Sequence, residues 1–93
     1  MELTQTEQIV EQFVADILEN GSDDRLFASG YLQGHLDLIL QGCIDVNDNF
    51  DGFMSKMVAS LDNAYSKNEL SPPDKVLVEA CWDDLQKQFK AAI

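Results

Sequence analysis

The sequence predicts an all-α fold, a compact up-down bundle of four helices, on three observations. Apolar residues recur at three- and four-residue spacing through four segments, and no segment shows the strict alternation of a half-buried strand. Each segment is bounded by residues that start or stop helices. The connectors are short, which sets consecutive helices as antiparallel neighbours. Ninety-three residues make a single domain over 1–93, and a 45% hydrophobic content is enough to bury a core.

The first helix opens on Thr4 and Glu7, a T-x-x-E capping box in which each side chain satisfies a backbone donor. Ile9, Val10, Phe13, Val14, Ile17 and Leu18 form its apolar stripe, leaving Glu7, Glu11, Asp16 and Glu19 outside. Asn20-Gly21 stops it, with Gly21 expected in the left-handed conformation. Ser22 caps the second helical region, and Asp23 and Asp24 fall in its first turn, where the helix dipole favours negative charge. Leu26, Phe27, Tyr31, Leu32, His35, Leu36, Ile39 and Leu40 recur at helical spacing to about Gln41, and Gly42 reads as the stop.

Gly30 and Gly34 lie four apart inside this region, and each interior glycine costs about 0.5–1 kcal/mol relative to alanine. Either they form a flat patch for close packing, or the helix breaks near Ser29-Gly30 and Ser29 caps a fifth, short helix. A break or bend near Ser29-Gly30 is the favoured reading, because Gly/Ser pairs are common kink sites.

Cys43 to Asn49 then form a polar connector. The third helix is expected to start near Asn47 or Asp48 and to carry Phe50, Phe53, Met54, Met57, Val58, Leu61 and Tyr65. Lys67 and Asn68 close it. Ser71 caps the last helix, Pro72 takes its first position and Asp74 completes a capping box. Val76, Leu77, Ala80, Cys81, Leu85 and Phe89 make the buried stripe, with Trp82 beside it.

From Ser22 the chain reads SDDRLFASGYLQGHL. Its SDD, LFASGYL and GHL runs resemble the signature of the YfcL family, small bacterial proteins with no assigned activity. An amphipathic helix before the signature and the ELSP-D segment (Glu69, Leu70, Ser71, Pro72, Asp74) extend the resemblance over most of the chain. It implies an all-α fold, a bacterial cytosolic setting and no known reaction, with no catalytic residues to transfer. The Asp/Asn-rich loop Asp45–Asp51 and the two cysteines fall outside the family pattern.

Seventeen acidic residues against six basic give a net charge of −11. That balance argues strongly against nucleic-acid binding, which neutralises phosphates with Lys and Arg, and against anionic membrane surfaces. A partner steered electrostatically would be basic. No apolar run approaches the roughly 20 residues of a membrane span, and MELTQTEQIVEQF lacks a basic start and an apolar core, so the expected location is the cytoplasm. Cys43 and Cys81 read as free thiols packed as small hydrophobes.

Four constellations bear on chemistry. The Asp45–Gly52 run places oxygen ligands correctly from Asp45, but Phe50 stands at the sixth position and Lys56 at the twelfth. Starting from Asn47 puts Gly52 sixth and Val58 twelfth, so neither register is a calcium loop, and the run reads as a connector with an N-cap. Cys43, Cys81 and His35 are too few for a zinc site. His35 has Tyr31 one turn before it but no nucleophile motif, phosphate loop or paired carboxylates, and it reads as a structural histidine. Met54 and Met57 read as core filling. The expectation is therefore a protein that is not an enzyme, with no cofactor, no metal and no catalytic residue, and with another, basic protein as partner. Its candidate binding residues are Asp23, Asp24, Arg25, Gly30, Tyr31, Gly34 and His35, and a homodimer across Gly30 and Gly34 stays open. The alternative is a ligand-binding or enzymatic pocket lined by Tyr31, His35 and Trp82.

Overall fold

The computed structural model describes all residues, 1–93, as four helices: α1 Leu3–Asn20, α2 Asp23–Asp45, α3 Phe50–Ser66 and α4 Pro72–Ala92. The molecule measures 35 × 31 × 19 Å. Its short axis is about two helix diameters of about 10 Å, so the helices form two layers. α2 packs against all three other helices, and α1 also packs against α4. Leu32, Leu36, Leu40 and Cys43 of α2 are therefore buried against residues from every other element. Phe89 sits where α3 and α4 meet, with its ring edge-on to Phe50 and Phe53 at 5.5 and 6.1 Å.

α2 corrects the sequence reading most. It runs unbroken for 23 residues through Ser29, Gly30, Gly34 and Gly42. There is no fifth helix. Buried side chains lie on both sides of the glycines, so tertiary packing holds a helix that local propensity alone would leave marginal. Ser29 is buried, and its hydroxyl donates to the Leu26 carbonyl inside the helix instead of capping a new one.

Helix boundaries shift for identifiable reasons. α1 begins one residue before Thr4, so the proposed Thr4–Glu7 box does not form; Thr6, fully buried, donates its hydroxyl to the Glu2 carbonyl. Gly21 is extended, at φ −78°, not left-handed. Its lack of a Cβ matters all the same, because a Cβ there would lie 2.6 Å from the Ile17 carbonyl oxygen. α2 continues to Asp45, and the positive φ falls instead on Asn47, at 57°. Asn49 caps α3 by accepting from the Gly52 N–H, and Ser71 caps α4 by accepting from the Asp74 N–H. The Asp/Asn-rich run is thus a turn and a cap, tightened by a 2.8 Å ion pair between Asp48 and Lys56. That pair, with a bond from the Asn49 N–H, holds the Asp48 carboxyl below its ordinary range.

The core faces are also rotated in places. Val78 is buried where Val76 and Ala80 were expected, and Val76 is exposed. Leu18 is exposed, while Leu3 and Thr6 join the core.

Candidate functional site

α2 presents its solvent face along the middle of the molecule, and the sequence-predicted site residues lie on or beside it. Ser22 starts the helix by accepting from the Arg25 N–H. Asp23 and Asp24 are exposed in the first turn. Arg25 points away from them to α4, where its guanidinium meets the Asp84 carboxylate at 2.8 Å. Arg25 therefore serves an interhelical tie and does not join the other candidates.

Tyr31 and His35, one helical turn apart, do converge: their rings are 5.1 Å apart and tilted by 45°. Their neighbour was not legible locally. His35 Nδ1 shares a 2.7 Å hydrogen bond with the Ser60 hydroxyl, 25 residues later on α3. The Tyr31 hydroxyl donates to Glu69 at 3.3 Å. Burial first, and the Glu69 charge second, hold the Tyr31 phenol above its ordinary pKa. Tyr31, Gly34, His35, Leu38 and Ser60 line an open hollow of about 310 Å³.

Trp82 does not belong to this hollow. It is buried on α4 with its ring edge-on to Phe89 at 6.5 Å, because α4 turns that side into the core. The pocket of Tyr31, His35 and Trp82 is thereby corrected to one of Tyr31, His35, Leu38 and Ser60.

The Ser60–His35 contact places a hydroxyl against an imidazole, yet the rest of a nucleophilic site does not assemble around it. Catalysis of that kind needs a third group orienting the base and N–H donors aimed at a developing oxyanion. Both residues lie inside helices, where backbone N–H groups are committed to the helical ladder. No three His, Cys, Asp or Glu side chains converge into a metal-ligand set. Cys43 and Cys81 are free, buried thiols, and burial pushes the Cys81 thiol above its ordinary pKa.

The two glycines are exposed on this face, and nothing in the domain lies within 4 Å of where their Cβ atoms would be. Close packing inside the domain, the other use offered for Gly30 and Gly34, is not what they serve either. Phe27 and Leu38 flank them at 41% and 75% exposure, so an aromatic and an aliphatic side chain stand in solvent beside two bare stretches of backbone.

Charge is distributed unevenly. Residues 1–50 hold ten carboxylates and one cation, Arg25, a net of −9, whereas residues 51–93 hold seven and five, a net of −2. The excess thus lies on α1 and α2, with Glu2 just before α1 and Asp48 just after α2. Between these helices Glu7, Glu11, Asp37 and Gln41 surround a groove of about 170 Å³ floored by Val10 and Leu40. An apolar floor under carboxylate walls suits a side chain with a long aliphatic stem and a cationic head.

Comparison with known proteins bears on the whole chain. A family model described as YfcL protein matches residues 4–87. The chain is also 40% identical over 73 residues to the Escherichia coli (strain K12) protein named Uncharacterized protein YfcL, covering 77% of this chain and 79% of that relative. No solved structure matches. No helix is long and apolar enough to cross a membrane.

Proposed function

The chain belongs to the YfcL family, and we propose that it serves as a non-enzymatic protein-interaction module of the bacterial cytoplasm, recognising a basic protein partner. The observation that carries this reading is the concentration of charge, −9 of −11, on residues 1–50. Such a surface steers a cationic partner at long range and repels nucleic acid and anionic lipid. The groove between α1 and α2, with Glu7, Glu11 and Asp37 over Val10 and Leu40, gives the steering field a place to end. A Lys or Arg head among those carboxylates keeps them solvated at the rim while its stem covers the two apolar residues.

The test is capture from a bacterial lysate at low and at raised salt, followed by identification of what is retained. The reading expects a basic protein held at low salt and released at high salt. A partner that survives high salt unchanged, or none in either buffer, would count against it. The Ser60–His35 hydrogen bond favours one second reading, a small-ligand site in the hollow beside Tyr31 and Leu38. A screen of small ligands in which none raises the melting temperature would remove it.

A further inference from the structure

We propose that the outer face of α2 seats an amphipathic helix of the partner, apolar along one ridge and basic along its flanks. This rests on the acidic-module reading and adds the contact that holds the partner once charge has delivered it. Phe27, Tyr31, Gly34 and Leu38 recur at intervals of four, three and four, so they share one side of α2. Phe27 and Leu38 are exposed large apolar residues, and Leu38 and Gly34 line the hollow shared with Tyr31, His35 and Ser60. From Phe27 to Leu38 the stripe runs about 16 Å, or three helical turns, which matches the anchor spacing of a helix laid into a groove. Gly30 and Gly34 make no contact that explains them inside the domain, and both have ordinary helical φ. What they leave is backbone that another helix can approach closely.

The charges choose the occupant. Asp23, Asp24, Asp37 and Asp45 all stand exposed on α2, and its one cation, Arg25, is engaged by Asp84. A second copy of this chain is a poor match. Antiparallel pairing about Gly34 would set Asp45 against the copy's Asp23, and parallel pairing would set each carboxylate against itself. A helix with Lys or Arg beside its apolar ridge meets the carboxylates with opposite charge and covers Phe27, Tyr31 and Leu38 at once.

The experiment is calorimetric titration of the full chain with two synthetic peptides of identical Leu and Lys content. One presents a single Leu ridge when helical, and in the other the ridge is scrambled. The ridge peptide is expected to bind at least about tenfold more tightly, since burying one large apolar side chain is worth that much. Leu38→Ser and Gly34→Gln should each remove that advantage without altering binding of the scrambled peptide. Both variants should keep the fold: Leu38 is three-quarters exposed, and glutamine is a better helix former than glycine. Equal binding of the two peptides, or variants that bind the ridge peptide as the wild type does, overturns the apolar seat and leaves the acidic-module reading standing. Binding of neither peptide overturns both. A wild-type dimer in sedimentation that Leu38→Ser returns to monomer gives the face to a second copy and overturns the proposed occupant.

Discussion

Replacing both Gly30 and Gly34 by alanine should stabilise this protein. Both lie in the interior of a continuous helix, both have negative φ, and an added Cβ at either meets nothing within 4 Å. The gain is then the bare propensity difference of about 0.5–1 kcal/mol per site, or about 1–2 kcal/mol for the pair. In a domain of this size each kcal/mol moves the melting temperature by about 4–8 °C, so the pair should raise it by roughly 5–15 °C. Urea melts followed by circular dichroism supply the free energy, and the same variants heated in a calorimeter supply the temperature. Gly21→Ala is the control of opposite sign, because its Cβ would meet the Ile17 carbonyl at 2.6 Å and Ile17 Cγ2 at 2.8 Å. A double variant no more stable than the wild type would refute the reasoning, since it would mean that α2 needs glycine for a bend or for a contact within the domain.

Other perturbations test the core and the titrating groups. Phe89→Ala empties the junction with Phe50, Phe53 and Trp82 and should cost about 3–5 kcal/mol, enough to unfold much of a marginal small domain at room temperature; a loss below about 1 kcal/mol would contradict this packing. Tyr65 has a buried hydroxyl without a protein partner; burial first, and then the charges of Glu79, Tyr31, Asp62 and Asp83, push its pKa up to about 12. The unfolded chain releases that proton near pH 10, so the native state binds more protons between about pH 10 and 12, and stability should fall as pH rises through that window. Tyr65→Phe should lose that component of alkaline sensitivity in melts taken across the window, and an unchanged profile would show that Tyr65 is not its source. Cys43 and Cys81, at 0% and 2% exposure, should ignore a thiol reagent in the native protein and both react in urea. Rapid native labelling of either would contradict their burial.

The parts of the fold legible in the sequence were those set by neighbours in the chain. Ser22 and Ser71 were readable as caps because a cap bonds three residues ahead. Tyr31 and His35 were readable as a pair because one helical turn brings them together. What depended on distant partners was not. The continuity of α2 past Gly30 comes from Leu36, Leu40 and Cys43 being buried by the other helices, which no local rule registers. Val76, Leu77 and Val78 are consecutive apolar residues, and only the direction from which the other helices approach α4 decides that Val78 is the buried one. Ser60 could not be tied to His35 from spacing, and Trp82 was drawn into the site by residue type when its side of α4 faces Phe89. The uneven charge, by contrast, was present in the sequence and needed only a count by halves.

The most direct test of the acidic-module reading is the affinity of the captured partner measured across a salt series, for the wild type and for Glu7→Gln/Glu11→Gln/Asp37→Asn. These three carboxylates are exposed, so neutralising them should leave the fold intact. The reading predicts that wild-type affinity falls steadily with added salt, that the variant is much weaker at low salt, and that the two curves converge once exposed charges are screened. Superimposable curves for wild type and variant, or an affinity indifferent to salt, would contradict it.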